Sequence, residues 1–175
     1  MKLLLKDPDV DPTDQNNNAI VYAAIWGHYK ILRLLLKDGR ADPTAHDNNP
    51  ICTASSRGYN KILRLLLKDG RADPTARNNQ SIIDSCLYSR NKSIELLLKD
   101  GRADITVEKN HVIHLACIKC SIKVVRLLLK DSRIKLTNQN IRNLIDSLIS
   151  HGNVHNNGQV RDNVITLLKK YQESK

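Results

Sequence analysis

Leu34-Leu35-Leu36-Lys37-Asp38-Gly39-Arg40-Ala41-Asp42-Pro43-Thr44 decides the fold, because the chain repeats it at residues 65–75 and, with Ile105 in place of the proline, at residues 96–106. Its first five residues also stand at 3–7 and 127–131, each copy starting 31 residues after the last. A fixed period of this size marks a solenoid, whose small units cannot bury an apolar face alone and stack to do so. Such a fold presents a long surface to a partner and rarely needs a catalytic site.

Within the repeat, Gly39, Gly70 and Gly101 follow the Leu-rich run and can take the left-handed conformation that ends a helix. The Asp-Pro-Thr step after each (42–44, 73–75, with Asp-Ile-Thr at 104–106 and a leading copy at 11–13) keeps the chain extended. An Asn column follows: Asn17, Asn48, Asn79 and Asn110. Asn is a preferred helix cap, and Pro50 suits a first helical position after Asn49. Helix A is therefore predicted over residues 19–26, 50–57, 81–88 and 112–119. A break comes at Gly27, Gly58, Ser89 and Cys120. Helix B is predicted over 29–37, 60–68, 91–99 and 122–130. Helices this short persist only by packing against neighbours.

Composition agrees with a core of stacked aliphatic helices: the 175 residues contain no Phe, one Trp and five Tyr. No apolar run approaches the ~18–20 residues of a membrane span, and the first residues are too short and too charged for a signal peptide. The expectation is a soluble, intracellular chain of the cytoplasm or, as the alternative, the nucleus, without a membrane partner. Cys52, Cys86, Cys117 and Cys120 are expected to be reduced thiols in or near the core. A formal charge of +10, from 28 Lys+Arg against 18 Asp+Glu, favours acidic partners without choosing among them.

Gly27-His28-Tyr29-Lys30-Ile31-Leu32-Arg33-Leu34-Leu35-Leu36 resembles the Gly-His-x-x-Val-Val-x-Leu-Leu-Leu run of ankyrin repeats. Val112-Ile113-His114-Leu115-Ala116 is similar to that family's Thr-Pro-Leu-His-x-Ala helix start. The Lys-Asp-Gly-Arg-x-Asp-Pro variant resembles repeats of large amoeba-infecting DNA viruses and of amoebal proteins. Departures are plain: Val21, Cys52 and Ile83 fill the column of His114, and Asn-Asn replaces the usual Asp-x-x-Gly tip. The resemblance implies an all-α, ankyrin-like solenoid of stacked helix-turn-helix repeats with extended connectors. Its parts would be a leading half-unit (1–13), repeats at 14–44, 45–75, 76–106 and 107–137, and a divergent C-terminal cap (138–175), all in one domain. In the cap, 141–150 reads as a helix A, 151–163 as a polar loop and 164–171 as a helix B. The resemblance also implies a protein-binding module, an adaptor, scaffold or decoy, that is not an enzyme and needs no cofactor. Its partner would be a host protein if the chain is viral.

Columns that vary between repeats carry specificity; those that stay fixed serve stacking. In helix A the variable column is Trp26, Arg57, Tyr88 and Lys119, beside Ile25, Ser56, Leu87 and Ile118. At the connector tips it is Gln15, His46, Arg77 and Glu108, and next to them Asn16, Asp47, Asn78 and Lys109. These map onto the family's binding surfaces, the tips and the concave helix A face, and Trp, Tyr and Arg are the types enriched at binding hot spots. The alternative is electrostatic binding of nucleic acid or another polyanion by a convex stripe of helix B: Lys30/Arg33/Lys37, Lys61/Arg64/Lys68 and Lys123/Arg126/Lys130, with Glu95 between Lys92 and Lys99. Against it stand an Asp directly after each of Lys37, Lys68, Lys99 and Lys130 and an Asp two residues after each of Arg40, Arg71 and Arg102. A solvated face is the plainer reading. With Met1 inside a helix B, an exposed first edge could also support self-association. His111, His114, Cys117 and Cys120 have tempting zinc spacing, but steps of three on a helix turn by about 60° each, so four side chains do not converge. No phosphate loop, nucleophile elbow or carboxylate pair is present.

Overall fold

The leucines on one side of helix B go inside: Leu32, Leu35, Leu63, Leu66 and Leu97 are completely buried. This is a computed structural model that describes residues 4–7, 9–119, 121–150 and 158–174, apart from the side chains of Leu4, Glu108 and Lys109. The described residues form helices and turns without strands, in two compact units, Met1–Ala103 and Asp104–Lys175.

In the first unit a short 3-10 turn (Leu4–Lys6) precedes three helix pairs. These are α1 (Asp14–Ile25) with α2 (Tyr29–Asp38), α3 (Ala45–Arg57) with α4 (Asn60–Asp69), and α5 (Ala76–Leu87) with α6 (Asn91–Asp100). Like packs on like: α3 lies between α1 and α5, and α4 between α2 and α6. Ile20, Ile51 and Ile82 occupy one column of the helix A layer and are fully buried. At roughly 1.5–3 kcal/mol for each such side chain, the columns hold the stack together. In the second unit α7 (Val107–Ile118) packs on α8 (Ile122–Lys130) and on α9 (Asn138–Ser150). The last helix, α10 (Gly158–Glu173), packs on α8 and α9. It starts within the polar loop expected over 151–163, whose remainder, 151–157, lies outside the described residues.

Helix A ends in a Schellman turn. The His28, Tyr59 and Arg90 amides donate to the Ala23, Ala54 and Ser85 carbonyls at 2.8, 2.8 and 2.7 Å. The residue before each has positive φ: Gly27 (+72°), Gly58 (+72°) and Ser89 (+55°). Gly27 is required twice over, because a Cβ there would also meet the Tyr59 ring at 3.0 Å.

The connectors are pinned by their own side chains. Asp11, Asp42, Asp73 and Asp104 each accept, on Oδ1, both the amide and the hydroxyl of the Thr two residues on, at 2.7–2.8 Å. Three successive left-handed residues follow in the first unit. They are Gln15, Asn16 and Asn17 (φ +50°, +60°, +65°), and likewise His46, Asp47 and Asn48, and Arg77, Asn78 and Asn79. Regular helix begins only after them, so the Asn column closes a left-handed turn instead of capping the helix. The Asn side chain acts between repeats: Asn17 Oδ1 accepts the Asp42 amide and Asn48 Oδ1 the Asp73 amide, both at 2.8 Å. Asn is the residue that tolerates left-handed backbone while offering a short acceptor.

The arginine after each glycine also joins repeats. Arg71 clasps Asp69 bidentately (2.8 and 3.0 Å) and donates to the Gly39 and Ala41 carbonyls of the preceding repeat (3.3 and 3.2 Å). Arg40 and Arg102 repeat the arrangement on Asp38 and Asp100. The partner aspartate is the one two residues before the arginine, not the one two residues after it, because the left-handed Gly39, Gly70 and Gly101 turn the chain back on itself. In the second unit Arg133 holds Asp131 in the same way at 2.8–2.9 Å.

Candidate binding surface

The variable columns lie at opposite ends of helix A. Trp26 and Tyr88 are the C-caps of α1 and α5, and Arg57 is the last residue of α3. In the second unit Lys119 is the C-cap of α7 and is half-buried. Gln15, Asn16, His46, Asp47, Arg77 and Asn78 stand in the left-handed turns at the other end. From Asn18 to Trp26 a helix rises about 12 Å, so the columns form two edges of one helix layer instead of one cluster. The side chains of Glu108 and Lys109 lie outside the described set.

The turn edge is largely committed to the fold. His46 Nε2 lies 3.1 Å from the Asn16 carbonyl oxygen. Arg77 donates to the His46 carbonyl and pairs with Asp47 at 3.4 Å. Each tip thus holds the tip before it, which explains why their residue types differ: each meets a different neighbour.

The C-terminal edge is open. Trp26 is 65% exposed and Tyr88 53%. Arg57 is exposed and enters no ion pair among the described residues. Two further apolar side chains join them, Tyr22 (53% exposed) and Leu87 (40%). Sequence reasoning noted the column of Leu87 but passed over Tyr22. The signal was available: Tyr22 lies one helical turn before Trp26, on the same face, and its column also varies (Thr53, Asp84, Leu115). Arg90 adds charge beside the edge, its Nε donating to the Ser56 carbonyl at 3.0 Å.

The four cysteines read as thiols of the core divide as follows. Cys52, Cys86 and Cys117 are buried, and Cys120 lies outside the described residues. Burial pushes the Cys86 thiol up to about 12, and it raises Cys52 against the opposing hydrogen bond from Ser81. Neither is a thiolate at neutral pH. His114 Nε2 lies 3.2 Å from Ser147 Oγ, and its ring stacks on His111 with centroids 6.3 Å apart. Among the described residues no three His, Cys, Asp or Glu side chains gather to hold a metal ion.

Residues 1–78 match the family model of ankyrin repeats in three copies. This segment is built of ankyrin repeats. Beyond it the first unit continues the all-α ankyrin-like stacking through α5 and α6, and the second unit is itself made of packed helices, α7 to α10. A comparison with curated proteins gives no significant match. Ankyrin repeats are in general non-catalytic protein–protein interaction modules. No described helix is long and apolar enough to cross a membrane.

Proposed function

We propose that this protein binds another protein through the C-terminal edge of the helix A layer, with Trp26, Arg57 and Tyr88 at its centre and Tyr22 and Leu87 beside them. One observation carries the reading. Every large apolar side chain exposed among the described residues of the first unit lies on α1 or α5 or at their C-caps, and none lies on helix B. Large apolar groups grouped on one layer cost free energy in water and gain it when a partner covers them. Aromatic side chains flanking an unpaired arginine are the composition of a binding hot spot. The partner would present apolar groups to the aromatics and a carboxylate to Arg57. Lys119 occupies the equivalent repeat position in the second unit. The turn residues Gln15, Asn16, His46, Asp47, Arg77 and Asn78 serve as a scaffold for the binding edge, the last with Lys109 and Glu108 as counterparts in the fourth repeat.

The role that follows is an adaptor, scaffold or decoy. The resemblance of Lys-Asp-Gly-Arg-x-Asp-Pro to repeats of amoeba-infecting viruses supports a host protein as the partner. The test is capture from cell lysate by the wild type and by the Trp26→Ala/Arg57→Ala/Tyr88→Ala variant, at low and high salt. Proteins retained at high salt by the wild type and lost by a folded variant support the proposal. A catch that is the same for both sinks it.

A further inference from the structure

Six cations without counter-ions stand in two adjacent rows on helix B of the first unit. Lys30, Arg33 and Lys37 on α2, and Lys61, Arg64 and Lys68 on α4, are all exposed. Among the described residues none of the six enters an ion pair. The aspartates that the sequence sets beside the last lysine of each row, Asp38 and Asp69, are not counter-ions to these rows. Arg40 and Arg71 hold them bidentately, and the same arginines spend their remaining donors on backbone carbonyls. The rows are therefore uncompensated, which the sequence order conceals.

Packing does not demand these charges. Glu95 stands on α6 in the column of Arg33 and Arg64, and the fold accepts it there, paired with Lys92 at 2.7 Å. A face kept only for solubility mixes both signs; the exposed rows on α2 and α4 carry one sign. The two helices pack side by side, about 8–10 Å between axes, within a screening length of about 10 Å at 0.1 M salt, so their potentials add.

We infer that this face binds the phosphate backbone of duplex nucleic acid without reading its sequence. A phosphate backbone is the dense, regular anion that exposed, mobile lysine and arginine heads neutralise through counter-ion release. Base readout would need side chains committed to base edges, and single strands would need aromatic platforms. Helices α2, α4 and α6 expose no large apolar or aromatic side chain. The same lack disfavours a membrane surface, where apolar groups insert beside the cations. This surface is separate from the helix A edge, so both can be occupied in one molecule.

Fluorescence anisotropy with the full chain and two labelled DNA duplexes of unrelated sequence tests the inference. Both duplexes should bind within twofold of each other. With about six phosphate contacts, affinity should fall about a thousandfold between 50 and 200 mM salt. Arg33→Glu/Arg64→Glu should lower affinity at least tenfold and reduce the log–log salt slope by about 2. Glu95 in the same column argues that this variant folds, and Arg33→Gln/Arg64→Gln gives a milder check, with thermal melts for both. The inference is overturned if neither duplex binds at 50 mM salt, or if one duplex is preferred more than tenfold. It is equally overturned if the folded variants bind like the wild type, or if phosphatidylserine vesicles are bound and the duplexes are not.

Discussion

Replacing Asn48 separates two jobs that the structure assigns to one side chain. Its backbone is left-handed (φ +58°), and its Oδ1 accepts the Asp73 amide of the next repeat at 2.8 Å. For most L residues the left-handed conformation costs about 1–2 kcal/mol, and Asn and Gly escape most of it. The hydrogen bond is on the exposed side, and its loss costs about 0.5–1.5 kcal/mol. Asn48→Ala loses both advantages and should cost about 2 kcal/mol. Asn48→Gly keeps the backbone and loses the acceptor, for about 1 kcal/mol. Asn48→Asp keeps both and should fall within about 0.5 kcal/mol of wild type. The decisive variant is Asn48→Thr. As a helix cap Thr would equal Gly; in a left-handed turn its branched side chain should make it worse by about 1 kcal/mol. Urea unfolding followed by the emission of Trp26, in the neighbouring repeat, reads the differences. If Thr matches Gly, or Ala matches the wild type, the left-handed account of the Asn column is wrong.

That column shows where the sequence stopped being legible. The period, the Leu columns and the glycine stops were enough to place both helices of every repeat, because burial of an apolar stripe leaves a periodic trace. The tip conformation leaves no such trace. Gln15, His46 and Arg77 are not residues that announce positive φ, and the bonds of His46 and Arg77 run to the preceding repeat. The partner of Arg71 was not legible for a related reason: Asp69 and Asp73 both stand two residues away, and only the turn at Gly70 selects Asp69. The open edge was legible as a variable column, except for Tyr22, whose exposure became plain only once α1 was oriented by its buried face, Ile20, Ala23 and Ala24.

Arg71→Ala should destabilise by about 1–2 kcal/mol. The exposed ion pair itself is worth about 0.2–1 kcal/mol, and the Ala41 carbonyl, on a fully buried residue, loses a donor. Arg71→Lys should recover little of it in urea melts, since an ammonium cannot span both partners. The hydrogen bond from Arg71 holds the Asp69 carboxyl below its ordinary value. This stability is therefore present above the ordinary carboxylate range and is lost as pH falls through the depressed value, so acid unfolding should be shallower in Arg71→Ala. Ser89 takes positive φ where the other repeats have Gly27 and Gly58, and Ser89→Gly should raise stability by about 1 kcal/mol in a thermal melt, against the usual cost of a glycine. The Cys86 thiol, pushed up to about 12 by burial, should ignore a disulfide reagent at pH 8 until urea unfolds the chain; reaction at the rate of a free thiol would show that α5 opens in the native state.

The most direct test of the central claim is the affinity of the captured partner for wild type and for Trp26→Ala, measured by titration calorimetry. A hot-spot aromatic at the centre of the surface should cost about 2 kcal/mol or more, a loss of about thirtyfold or greater, with the melting temperature unchanged. An affinity equal to that of the wild type would mean that the partner docks elsewhere and that the exposed edge of the helix A layer is not the binding surface.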